Sequence, residues 1–167
     1  MIKIKQGNLL NADVEIIAHQ VNCQGAYGAG IAKQISEKFP QAKKDYMKVC
    51  NNANKPKDLL GYIHLTKVEK FFIAGLFGQE YYGKYGSFYQ KYNRQTDYDA
   101  LKKALIQLHD LFPNKTIGLP YRMGCGLAGG LWETVFGIIE EVFNDGEVIL
   151  YKHRNLPPFL GEGAEPC

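Results

Sequence analysis

Val21-Asn22-Cys23-Gln24-Gly25-Ala26-Tyr27-Gly28-Ala29-Gly30-Ile31 and Gly124-Cys125-Gly126-Leu127-Ala128-Gly129-Gly130 are the two stretches from which the fold can be read. The first follows the apolar run Val14-Glu15-Ile16-Ile17-Ala18, and the second follows Lys115-Thr116-Ile117-Gly118-Leu119-Pro120. Each then opens an amphipathic segment of helical period, so each reads as strand, glycine turn, helix. A turn so placed leaves backbone N–H groups free beside the positive end of a helix dipole, a setting that suits a phosphate. Two such turns in one chain point to a ligand with two phosphates, one gripped from each side.

The remaining elements extend outward from these junctions. Ile2-Lys3-Ile4-Lys5 alternates like a strand. Ile31, Ile35 and Phe39 mark one helical face, which Pro40 interrupts before helical structure resumes over 43–50. Leu60 to Leu65 and Phe71 to Phe77 read as strands with a turn over 67–70. Residues 78–95, rich in Tyr, Gly and Lys, form a long loop, and such loops are often functional. Thr96-Asp97-Tyr98-Asp99 fits a capping-box start, with Thr96 as the cap, for a helix marked by Tyr98, Leu101, Leu105, Leu108 and Phe112. Trp132 to Phe143 is a helix with Val135, Ile138, Ile139 and Val142 inward, and Glu147 to Tyr151 is the last strand. This alternation predicts an α/β fold, a three-layer α/β/α sandwich around a mixed central sheet, spanning 1–154 as one domain. Residues 155–167, with three prolines and two glycines, read as a loose tail. Ligands of such folds sit where strand C-terminal ends meet helix N-termini.

The 167 residues suffice for one domain with a real core. A net charge of +3 tolerates an anionic ligand but is far from the dense basic face of sequence-independent nucleic-acid binding. A single-stranded nucleic-acid platform of loop tyrosines and lysines is correspondingly the weakest reading. The four cysteines form no C-x-x-C pair, which argues against a zinc site, and no cofactor is expected. No apolar run approaches the ~20 residues that span a bilayer, and the start lacks a signal-peptide core, so the expected setting is cytoplasmic. Cys23 and Cys125 either react or simply fill tight turns.

Gly124-x-Gly126-x-x-Gly129 matches the dinucleotide fingerprint, but only one helix and one strand follow it, too few for a Rossmann half. The residues fit something else. Ile16-Ile17-Ala18-His19-Gln20-Val21-Asn22 with Gly28-Ala29-Gly30-Ile31-Ala32 resembles the first ligand loop of macrodomains, which are ADP-ribose-binding modules. Leu119-Pro120-Tyr121-Arg122-Met123-Gly124-Cys125-Gly126 with Trp132-Glu133 resembles their second loop. The flavour is that of the branch containing the terminal ADP-ribose glycohydrolase and phage and bacterial proteins that process ADP-ribose 1″-phosphate.

That resemblance implies a set of ligand contacts. Asn8 and Leu9 fall on an element that lies near the adenine, with Asn8 standing where aspartate is common. Asn22 falls on the asparagine that touches the distal ribose, although its side chain could instead serve its own turn. Gly28, Ala29, Gly30 and Ile31 fall on the cradle of one phosphate. Gly124, Cys125, Gly126 and Leu127 fall on the cradle of the other, with Pro120, Met123 and Ala128 in the same stretch. Tyr81, Tyr82 and Tyr85 could stack on the ligand or form a loop cluster.

The implied function is binding of ADP-ribose and hydrolysis of a derivative, either ADP-ribose 1″-phosphate or an ADP-ribosyl ester. The partner is a small nucleotide or an ADP-ribosylated macromolecule. In the resembled branch a central-loop lysine and a second-loop aspartate carry the chemistry. Here Lys84 is the candidate lysine, but Ala128 and Leu131 occupy the places where relatives put the acid. Asn22, Lys84 and His19 are therefore the candidate catalytic residues, with His19 equally readable as a core histidine. The alternative is a non-catalytic ADP-ribose-binding module.

Overall fold

Twelve short segments build the protein in the order β1 (Ile2–Gln6), β2 (Ile16–Asn22), α1 (Gly30–Lys38), α2 (Pro40–Asn52), β3 (Ile63–Val68), β4 (Phe71–Gln79), α3 (Tyr98–Leu111), β5 (Thr116–Pro120), α4 (Trp132–Val142) and β6 (Glu147–Lys152), with 3-10 turns at Leu9–Asn11 and Pro56–Leu59. The computed structural model describes residues 1–83 and 94–153. The expected tail and the 84–93 part of the tyrosine-rich loop, with Lys84 and Tyr85, lie outside the described residues.

The strands form one sheet in the order β1-β6-β5-β2-β4-β3. All neighbours are parallel except β3, which pairs antiparallel with β4. The sheet is therefore mixed, as the sequence predicts. β2 lies between β5 and β4 and is covered on both faces, which is why it reads as a nearly continuous apolar run. Its side chains alternate between two cores. Ile16 and Ala18 join Ala74, Leu76, Leu119 and Leu150 beneath Leu101, Leu105, Leu108, Val135 and Ile139 of α3 and α4. Val21, Ile73 and Phe77 pack on the other face against Ile35 of α1 and Ala42 and Tyr46 of α2. The two helix pairs are the outer layers of the sandwich. Among the described residues no helix is long and apolar enough to cross a membrane.

Several boundaries differ from the sequence expectation, each for a local reason. β2 runs on through His19, Gln20 and Asn22 because its polar residues find partners in the fold. Pro40 starts α2 rather than merely breaking α1. Phe39 is at once the end of one helix and the cap of the next, and proline is favoured at the first helical position. The cap of α3 is Asp97, whose carboxylate accepts from the Ala100 amide at 3.0 Å. Thr96, expected to be that cap, is used elsewhere. Finally, β2 and β4 run in register from Ile16↔Phe72 to Val21↔Phe77, then slip so that Asn22 faces Gln79. This bulge at the strand exits brings Gln79 to the same end as Asn22.

Candidate functional site

The parallel strands β2 and β5 pair at Ile16↔Ile117 and Ile17↔Gly118, and a cleft of about 530 Å³ is lined by residues at their C-terminal ends. That volume suits a small nucleotide. Its walls are the end of β2 with the first glycine turn, the start of α1, the exit of β4, and the second glycine loop after Pro120.

The first wall presents a bare helix start. The Ala29 cap makes no side-chain hydrogen bond, and the first turn of α1 carries no acid. The first amide with a backbone partner is that of Lys33, donating to Ala29 O at 3.3 Å. The amides of Gly30, Ile31 and Ala32 precede it and have no intrahelical acceptor. All three residues line the cleft. Gly30 adopts φ +55°, and a Cβ at Gly28 or Gly30 would meet only open space.

Asn22 holds this wall in shape. Its Oδ1 accepts from the amides of Gln24 (2.9 Å) and Ala26 (3.2 Å) and from the Tyr46 hydroxyl (2.9 Å). Its Nδ2 donates to Ala26 O at 2.7 Å. The turn-stabilising reading of Asn22 is thus realised. The residue also lines the cleft, and Nδ2 keeps a second proton for a ligand.

The second wall differs from expectation. The glycine turn does not deliver a helix N-terminus to the cleft: α4 begins only at Trp132, and the lining stops at Ala128. The loop instead folds on itself. Gly129 N donates to Gly126 O (3.1 Å), Gly130 N to Gly124 O (3.0 Å), and Ala128 O accepts from the Gln95 and Thr96 amides. The amides of Gly126, Leu127 and Ala128 are left with no acceptor among the described residues, and these residues line the cleft. A turn rather than a helix dipole forms the second rim.

A polar chain locks this loop to the sheet. Thr96 Oγ1 donates to Gly124 O at 2.5 Å and accepts from Gln20 Nε2 at 3.0 Å. Gln20 Nε2 also donates to Gln79 Oε1 at 2.8 Å, and Gln79 Nε2 donates to Tyr81 O at 2.7 Å. Gln20, Gln79, Ala26 and Arg122 line the cleft without having been singled out by the sequence, and Tyr82, one of the loop tyrosines that could stack on a ligand, lines it too. A glutamine interrupting a buried apolar strand next to Asn22 was the available signal for the first of them.

The glycines of this loop make separable demands. A Cβ on Gly130 would lie 2.6 Å from the Gly124 carbonyl oxygen, which is backbone and cannot step aside. A Cβ on Gly126 would meet nothing within 4 Å. Gly130→Ala is therefore expected to lower stability by about 2–3 kcal/mol, on the scale of overpacked sites. Gly126→Ala should leave the melting temperature nearly unchanged while narrowing the cleft and weakening nucleotide binding. Denaturant titration of both variants checks the contrast.

Other sequence candidates lie away from the cleft. Asn8 Oδ1 accepts from the Leu10 amide at 2.9 Å, capping its own 3-10 turn, and Asn8 does not line the cleft. Leu9 is buried against β5, where a Cβ on Gly118 would lie 2.9 Å from its Cδ1. Cys125 is fully buried, its Sγ 3.6 Å from Met123 O, and it supports the second rim from behind. Burial pushes the Cys23 thiol up to about 12, so it fills the turn as a thiol rather than reacting as a thiolate. His19 is fully buried, with Nε2 3.0 Å from the Tyr27 hydroxyl. Burial lowers its pKa to about 3, with neighbouring His64 adding to the effect. It is a neutral core histidine, and the candidacy for catalysis fails on access. Leu131 is the N-cap of α4, exposed and without a side-chain cap bond, and it does not line the cleft. Leu131→Asp is therefore expected to stabilise the protein by about 1 kcal/mol through the α4 amides, with no gain in any reaction rate. Thermal melts and turnover of the pair check this.

Of the candidates within the described residues, the cleft gathers Asn22, Gly28, Ala29, Gly30, Ile31, Pro120, Met123, Gly124, Gly126, Leu127 and Ala128. Its described lining contains no carboxylate and no imidazole, and the sequence over 84–93 contains neither.

No family model matches the chain. The ADP-ribose 1″-phosphate phosphatase of Debaryomyces hansenii is 33% identical over 102 residues. That match takes in 50% of this chain and 57% of that protein, so the chain spans little more than half the length of this curated relative. A macrodomain protein from Streptomyces coelicolor superposes with a TM-score of 0.73 at 25% identity, covering 92% of this chain and 99% of the other. The chain has the macrodomain fold. The DarTG protein of Thermosipho africanus, solved in complex with ADP-ribose, shares this fold, with a TM-score of 0.69 at 16% identity over 89% of this chain and 41% of the other.

Proposed function

We propose that this chain is a macrodomain that binds ADP-ribose or a close derivative and hydrolyses a bond at the distal ribose. The diphosphate would lie between the amides of Gly30, Ile31 and Ala32 on one side and those of Gly126, Leu127 and Ala128 on the other. The observation that carries this is the pair of opposed amide rims without acceptors among the described residues, in a cleft of nucleotide size. The Debaryomyces hansenii relative and the ADP-ribose complex of the Thermosipho africanus protein support the same ligand class.

That the described lining carries no acid bears on the chemistry. Phosphoryl transfer needs little covalent help from a protein and relies on position and charge stabilisation. Fixed amides and an oriented distal ribose can supply both. A described lining without a carboxylate or an imidazole also supports a second reading, a non-catalytic module that holds ADP-ribose.

The test is a product assay on ADP-ribose 1″-phosphate and on an ADP-ribosyl ester, run beside a thermal-shift titration with ADP-ribose. The expected result is a rise in melting temperature, since a ligand bound only by the native state stabilises it, together with slow release of product. A thermal shift with no turnover of either substrate would decide for the binding module. No shift at all would remove the ligand assignment.

A further inference from the structure

We propose that Arg122 is a direct ligand of the diphosphate and sets the preference of the cleft for anionic nucleotides. The inference rests on the proposed ADP-ribose reading of the cleft. Arg122 is the one charged side chain among the described lining residues. The remaining walls offer neutral amides, carboxamides and apolar groups.

Three observations single it out. It sits at φ +61°, and among the described residues no other non-glycine has positive φ. Such strain persists only where the surroundings hold it, and it clusters at functional sites. Its Nε is buried and has no hydrogen-bond partner among the described residues. No ion pair among the described residues involves it. A guanidinium stays charged and presents five donors, so a buried Nε–H without an acceptor is an unmet demand inside a cleft shaped for an anion.

The neighbourhood keeps this cation in place rather than neutralising it. The guanidinium carbon lies 5.9 Å from the centre of the Tyr121 ring, whose centre is 5.0 Å from that of Trp132. Lys152 also lies over the Tyr121 ring, at 5.2 Å. The ring thus backs the arginine while a second positive charge stands near it. Amide rims alone bind any phosphate through neutral donors. A fixed cation adds a charge-assisted contact and makes binding sensitive to salt.

The test is calorimetric titration of ADP-ribose into wild type, Arg122→Gln, Arg122→Lys and Arg122→Gly, at low and at high salt. Arg122→Gln should weaken binding about 10- to 100-fold, the scale of a lost hydrogen bond to a charged group. It should also flatten the salt dependence of the wild type. Arg122→Lys should recover part of the affinity and of the salt response, because a point charge replaces a planar fork. Arg122→Gly relieves the backbone strain, so its melting temperature should not fall, yet its affinity should fall as in Arg122→Gln. If Arg122→Gln binds like wild type, or loses affinity with the salt response of the wild type intact, the assignment is overturned. A wild type that does not bind ADP-ribose at all overturns the ligand reading itself, and the assignment with it.

Discussion

Gly30→Glu is expected to abolish ADP-ribose binding in a protein that still folds. Gly30 is the first residue of α1, and a Cβ there would enter open space, which at this position is the cleft. A glutamate side chain would occupy the path of a phosphate and bring its charge against the ligand's own. The φ of +55° makes a side-chain-bearing residue strained, on the order of 1–2 kcal/mol. Against that, a negative charge near a helix N-terminus is favourable by a fraction of a kcal/mol, so folding should survive. The expected loss of affinity is at least about 100-fold, or roughly 3 kcal/mol. Gly30→Ala should fall between, with the strain and without the charge. Calorimetry on each variant, with melting temperatures as the folding control, checks this. Unchanged affinity in folded Gly30→Glu would take the α1 rim out of the site.

Acidification is expected to destabilise the fold well above the pH at which carboxylates titrate. His19 is fully buried and held neutral, its pKa lowered to about 3 by burial and by His64. His64 is buried, its ring nitrogens without hydrogen-bond partners among the described residues, and burial lowers its pKa to about 4 against a smaller opposing pull from Asp45. In the unfolded chain both take up a proton near pH 6.5. Between that pH and the folded values the unfolded state binds more protons, so stability falls as pH falls and is insensitive to these groups above about pH 7. At pH 5 each histidine is worth roughly 2 kcal/mol of lost stability, so about 4 kcal/mol together. Denaturant titrations between pH 8 and pH 5 should show that decline, and His64→Phe should remove about half of it. A stability that holds flat down to pH 5 would mean that the two rings are hydrated or charged in the native state.

Much of this molecule is legible in its sequence, because the glycine turns sit at strand–helix junctions and the apolar periods of α3 and α4 are clean. The order of the sheet is a different matter, since pairing depends on contacts far apart in the chain. The misreadings share one physical cause. The residues concerned have both a local and a non-local role open to them, and the folded surroundings decide between the two. Thr96 looks like a helix cap by position, yet Gly124 O and Gln20 claim its hydroxyl, and Asp97 caps α3 instead. Asn8 looks like a ligand contact by resemblance, yet its side chain is spent on the Leu10 amide. Leu131 stands where relatives can place an acid, yet it faces solvent at the start of α4. Arg122 carries no signal in the sequence at all. Only its backbone conformation and its place in the cleft wall mark it.

The opposed amide rims are tested most directly by backbone amide resonances followed through a titration with ADP-ribose. A phosphate oxygen that accepts from an amide shifts that amide strongly, whereas distant packing changes do not. The largest downfield shifts are expected at Gly30, Ile31 and Ala32 and at Gly126, Leu127 and Ala128, saturating together with one dissociation constant. Saturable binding that shifts only one rim, or that shifts residues outside the cleft and leaves both rims unmoved, would contradict a diphosphate held between them.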